Sequence, residues 1–96
     1  MEKEIKKTIK EIQKKYRNKL KTNTEIFYHL LDKVKEHVDK LTKLKEKDGE
    51  SELFKREVAD IYLLTLGLIE LEKIDNKTIK ESSQYYLKKI KKIFTK

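Results

Sequence analysis

The 96-residue chain has no cysteine, so neither a disulfide nor a thiolate-bound zinc can staple it. It has no proline and two glycines, Gly49 and Gly67. That excludes a fold of many short strands, which needs Gly/Pro turn signals at regular spacing. Arginine is almost missing: Arg17 and Arg56 stand alone among 25 basic residues. The longest apolar stretch, Val58 to Leu71, is interrupted by Asp60 and Glu70 and is too short and too charged to span a bilayer. The opening Met1-Glu2-Lys3-Glu4 lacks the apolar run of a signal peptide. A cytoplasmic protein with no membrane partner is the expectation.

What is abundant is lysine, glutamate, leucine and isoleucine, a helix-forming composition. Charged residues are 44% of the chain and hydrophobic ones 36%, so the helices must be strongly two-faced. A chain of this length is one domain, here residues 1–96, and buries roughly two-thirds of its unfolded surface. Such a core is marginal, and self-association would strengthen it.

Spacings of three and four define four helices. Ile5, Ile9, Ile12, Tyr16 and Leu20 predict the first, from about Glu4 to Leu20. After Thr22-Asn23-Thr24, with Asn23 or Thr24 as cap, a second runs from about Glu25 to Lys45. Its stripe is Phe27, Leu31, Val34, Val38 and Leu41, widened by Leu30 and Leu44. Lys47-Asp48-Gly49-Glu50 reads as a loop and Ser51 as the cap of a third helix, Glu52 to about Lys73. That helix is apolar nearly all round and is expected to be central, with Gly67 admitting a close neighbour. The last helix runs from about Lys77 to Phe94 with apolar Ile79, Tyr86, Leu87, Ile90, Ile93 and Phe94. Short connections imply antiparallel neighbours, hence an all-α four-helix bundle.

Glu57 and Asp60 are three apart, so they project from one helix flank beside the apolar stripe. Unpaired carboxylates are costly there, and a hard divalent cation such as magnesium would relieve the cost. The alternative is a bridge to lysines of a neighbouring helix. On the second helix Glu36 and Asp39 are also spaced by three, but the helical wheel turns them away from Val34 and toward water. Lys33, His37 and Lys40 line the edge of that stripe instead. A lone boundary histidine is more often structural than a ligand; His37 is a candidate ligand by position, and His29 reads as structural. Tyr85-Tyr86 and the lysines around Ile90 could meet nucleic acid, but core packing and complementing the helix dipole account for them equally. The formal charge of +8 invites a nucleic-acid reading as well. Lysine lacks the planar fork that reads base edges, so a solvated basic surface is the simpler account.

Four segments follow one another along the chain: Lys10-Glu11-Ile12-Gln13, then Leu30-Leu31-Asp32-Lys33-Val34-Lys35-Glu36-His37-Val38-Asp39-Lys40-Leu41, then Arg56-Glu57-Val58-Ala59-Asp60-Ile61, then Leu71-Glu72-Lys73-Ile74-Asp75. Their order resembles the MazG-like all-α nucleotide pyrophosphohydrolases. The segments are similar to that family's E-I-Q-type opening helix, its lysine followed two residues later by E-E-x-x-E-L, its E-x-x-D helix, and its turn into the last helix. The resemblance implies a bundle that pairs into dimers or higher homo-oligomers. It also implies a magnesium site from the two acidic motifs, where a nucleoside triphosphate is cleaved to monophosphate and pyrophosphate. Glu57 and Asp60 match the second motif and Glu36 the first glutamate of the first. His37 and Lys40 occupy the places of the two remaining glutamates, and Ile93 that of an asparagine after Lys89-Ile90. A protonated lysine offers a metal no lone pair. A shifted register puts Lys33 and Glu36 at the ligand positions and restores one ligand.

The metal set expected from this resemblance is therefore Glu57, Asp60, Glu36 and His37, with Lys33 and Lys40 as phosphate-binding residues and weak or absent turnover. Two alternatives stand beside it. One is a non-catalytic helical dimer binding nucleotides or phosphates through Lys33, His37 and Lys40. The other is a lysine-rich bundle that binds nucleic acid or protein.

Overall fold

The computed structural model describes residues 2–47 and 51–94. The loop expected at Asp48-Gly49-Glu50 lies outside the described residues. Four helices and no strand occur among those described: α1 (Lys3–Lys19), α2 (Asn23–Lys47), α3 (Glu52–Leu71) and α4 (Asn76–Phe94). No helix is long and apolar enough to cross a membrane.

Short polar side chains set the helix starts. Thr22, rather than Asn23 or Thr24, caps α2: its hydroxyl accepts from the Glu25 N–H at 3.1 Å and donates to the Glu25 carboxylate at 3.2 Å. The hydroxyl satisfies a free N–H of the first turn while Glu25 holds it in place, which fixes the cap one or two residues before the expected position. Ser51 caps α3 by accepting from the Phe54 N–H at 3.2 Å, as the sequence predicts. Asp75 caps α4, accepting from the Thr78 N–H at 2.9 Å. Two backbone bonds close α3, Ile74 N–H to Ile69 carbonyl at 3.0 Å and Lys73 N–H to Glu70 carbonyl at 3.3 Å. This is a Schellman closure, with Lys73 at φ 53° in the left-handed position that glycine favours.

α2 and α3 form the main packed pair, and α1 packs on both. Lys45 over Phe54, His37 on Glu57 and Leu30 beside Gly67 occur in opposite order along α2 and α3, so the two helices are antiparallel. Ile26, Leu30 and Leu71 are the centre of the core, with Tyr16, Leu20, Phe27, Leu64 and Leu68 around it. The close approach at Gly67 does not require glycine. A Cβ there would meet the Leu30 methyls at 3.7 Å, ordinary van der Waals contact.

The expected four-helix bundle is realised only in part. α3 is central, as its composition predicts, but α4 packs against no other helix and every one of its described residues is exposed. On α3, Val58, Tyr62 and Thr65 share a side that is exposed, with Tyr62 56% exposed, and Ile69 further along it is half-buried.

Candidate functional site

Glu57 is the one charged or polar side chain in the buried class among the described residues, and its position is set by helix register. Glu57, Asp60, Leu64, Gly67 and Leu71 follow spacings of three and four down one side of α3, the side that faces α2. The stripe that builds the core thus carries a carboxylate at its N-terminal end. It is offset by His37 of α2, whose Nδ1 donates to a Glu57 carboxylate oxygen. Asp60, one turn on, brings a carboxylate oxygen to 3.8 Å from the same nitrogen. The His37 and Glu57 side chains are largely covered, whereas that of Asp60 is 47% exposed. One ligand atom from each of the three lies within 4.8 Å of the others.

The cluster opens into a cavity of 340 Å³ between α1, α2 and α3. Its walls are mostly apolar, with Ile9, Ile12 and Leu64 among them, and its polar groups are Thr8, Gln13, Tyr16, Lys33, His37 and Asp60. A mostly apolar pocket with a few convergent polar groups is the usual form of a small-molecule site. Gln13 Nε2 donates to the Gly67 carbonyl at 2.7 Å, tying α1 to α3 across the floor. Tyr16 meets His29 edge-on at 4.9 Å between centroids, which gives His29 the structural place expected of it.

The residues singled out from the sequence thus divide. His37, Glu57 and Asp60 come together, and Lys33 stands at the cavity wall. Glu36 does not join them: it is exposed and bound by Lys33 at 3.1 Å. That hydrogen bond and the lysine charge hold the Glu36 carboxyl below its ordinary range, with smaller help from Lys40 and His37. Lys40 is exposed and pairs with neither Glu57 nor Asp60 within 4.0 Å. The bridge expected from α2 to these carboxylates is made by the imidazole. Its short side chain reaches Glu57 from inside the interface, while Lys40, at the rim, keeps its charge in water. Gln13 and Tyr16 were not singled out as site residues from the sequence. Gln13 could have been, since it lies between Ile9 and Tyr16 on the buried face of α1.

The donor set suits a divalent cation. It provides one imidazole nitrogen and two carboxylates on a half-open rim, leaving further positions for water or a ligand. No buried side-chain nitrogen or oxygen lacks a hydrogen-bond partner among the described residues, so the cluster is also satisfied as a hydrogen-bonded unit. The two states differ in where the ring hydrogen sits. Nδ1 carries it when donating to Glu57 and must be free of it to ligate.

No protein-family model matches the chain, and no curated protein or solved structure matches it significantly. The likeness to MazG-like proteins therefore rests on its sequence segments alone.

Proposed function

We propose that the chain is a MazG-like nucleotide pyrophosphohydrolase-type protein with weak turnover, converting a nucleoside triphosphate to its monophosphate and pyrophosphate in the presence of magnesium. The observation that carries this reading is the convergence of His37, Glu57 and Asp60, of which His37 and Asp60 line the cavity between α1, α2 and α3. The apolar walls suit a base, and Lys33 and Asp60 in the cavity lining would meet the polyphosphate and its cation. His37, Glu57 and Asp60 would hold a divalent cation, which would supply charge neutralisation for the phosphates and activation of water. Glu57, buried, and Asp60, half exposed, supply the negative charge of the cluster. His37 keeps Glu57 in place and blocks free access to its oxygen.

Weak turnover follows from the donor set. Two carboxylates and one imidazole hold a hard magnesium ion less well than carboxylates alone, because imidazole prefers softer metals. The resemblance also implies a homodimer. The test is pyrophosphate release from each of the common nucleoside triphosphates, with magnesium and with manganese. Slow release abolished by Glu57→Gln is expected. No release from any triphosphate with either metal would remove the hydrolase reading. Fast turnover with magnesium would remove the weakened-site reading.

A second reading has one observation of its own. Lys33 lies at the cavity wall while the carboxylates are already partnered through His37, which suits a protein that binds a nucleotide without cleaving it. Saturable nucleotide binding with no product would favour it.

A further inference from the structure

Among the described residues α4 is the helix that meets no other, and it is exposed along its whole length. Its charge is one-sided: it carries six lysines and a single carboxylate, Glu81. From Tyr85 to Phe94 it holds four of those lysines, three aromatic rings and no acidic residue.

Helix geometry sorts these residues. At about 100° per residue, Ile79, Tyr86, Leu87, Ile90, Ile93 and Phe94 fall in one sector about 120° wide. Asn76 and Ser83 share the sector in its N-terminal half, so its unbroken apolar part is Tyr86 to Phe94. Lys80 and Lys91 lie about 20–40° beyond Leu87 at one edge, and Lys89 lies about 40° beyond Ile93 at the other. Glu81 points opposite the middle of the sector. Tyr86, Ile93 and Phe94 are 64%, 60% and 78% exposed.

A flat surface touches one sector of a helix and both of its borders. The surface that matches α4 is apolar beneath and negative at the level the lysines reach. That is the layering of an anionic bilayer, with acyl chains under charged headgroups. Lysine stems lie along apolar surface while their ammonium groups stay at headgroup depth, and aromatic rings favour the same depth. The lone carboxylate faces water, away from the negative headgroups. A nucleic acid would engage the lysines and leave the apolar sector bare.

We propose that α4 lies in the plane of an anionic phospholipid surface, with the Tyr86–Phe94 stretch of its apolar sector among the headgroups and its bordering lysines on the lipid phosphates. The missing transmembrane span bears on crossing a bilayer. Lying along one asks for a two-faced helix rather than an apolar one. None of these residues belongs to the His37–Glu57–Asp60 cluster, so the inference goes beyond the nucleotide reading and stands or falls separately from it.

Flotation of the full chain with vesicles tests it. Binding is expected to phosphatidylcholine vesicles containing phosphatidylserine at about one lipid in four, weakening about tenfold or more as salt rises from about 50 to about 500 mM. Vesicles of phosphatidylcholine alone should bind little. Ile90→Glu should weaken binding about tenfold or more, and so should Lys89→Glu with Lys91→Glu. Lys7→Glu with Lys14→Glu, both exposed on α1, makes the same change in total charge and should weaken it much less. α4 packs on none of α1, α2 and α3, so far-UV circular dichroism should show their helices intact in the α4 variants. The chain has no tryptophan, so Phe94→Trp places one indole on the stripe. Its emission should be that of an indole in water for the free chain and shift to the blue on the anionic vesicles. Equal binding to both vesicle types, none to either, or equal losses from the α1 and α4 lysine pairs overturns the proposal. So does emission already blue-shifted without lipid, which would mean that a protein surface covers the stripe. Salt-sensitive binding to a DNA duplex with no vesicle binding would assign the lysines to nucleic acid and overturn it as well.

Discussion

His37 Nδ1 donates to the Glu57 carboxylate across the α2–α3 interface, and this joins the buried carboxylate of α3 to the helix before it. Leu30 and Leu71 are apolar anchors on the same pair of helices, so the polar contact sits at one end of an otherwise oily seam.

The first prediction concerns that contact. Removing the imidazole leaves a largely covered carboxylate without its donor, at a cost of about 1–3 kcal/mol. His37→Ala should lower the thermal midpoint at pH 7, and Glu57→Gln, which keeps a hydrogen-bonding amide, should lower it less. A double-mutant cycle isolates the coupling. Additive effects of the two changes would show that the contact contributes nothing.

Cation preference gives the second. Nδ1 must be free of hydrogen to ligate, and a neutral imidazole frees it by carrying the hydrogen on Nε2. Titration calorimetry should show tighter binding of manganese or zinc than of magnesium. His37→Glu should reverse the order and make the thermal midpoint rise with magnesium. Lys40→Glu alone should change the magnesium response much less, since Lys40 touches neither Glu57 nor Asp60. Equal responses to the two substitutions would contradict the placement of these side chains.

At Gly67 an added methyl meets Leu30 at ordinary contact distance. Glycine in a helix interior is destabilising by roughly 0.5–1 kcal/mol relative to alanine. Gly67→Ala should therefore raise the thermal midpoint by several degrees, measured by circular dichroism. A fall would mean that the Gln13 bond to the Gly67 carbonyl tolerates no shift of α3.

The N-terminus of α4 should respond to acid. The Thr78 backbone N–H, and secondarily its side chain, hold the Asp75 carboxyl below its ordinary value of 3.8. A depressed folded value means that the cap's contribution is present above the ordinary value and is lost as pH falls through the lowered one. Asp75→Asn should cap α4 without this acid step. Helicity of α4 followed by exchange of its first amides between pH 5 and pH 2 checks it; an identical acid response in both proteins would refute the assignment.

Much of the fold was legible in the sequence because it is local. Absent proline, few glycines and apolar residues at three-and-four spacing leave the backbone little choice but helix, and the observed ends fall within two residues of those predicted. Ser51 as a cap and the shared flank of Glu57 and Asp60 follow from the same short-range geometry. Tertiary structure decided what depends on two helices meeting. Whether His37 or Lys40 would reach Glu57 depended on the rotation and depth of α2 against α3, which a one-helix wheel cannot fix. Where α4 would lie was also beyond pattern, since an amphipathic helix needs an apolar surface but does not specify whose. In this chain α1, α2 and α3 do not supply that surface, since α4 packs against none of them.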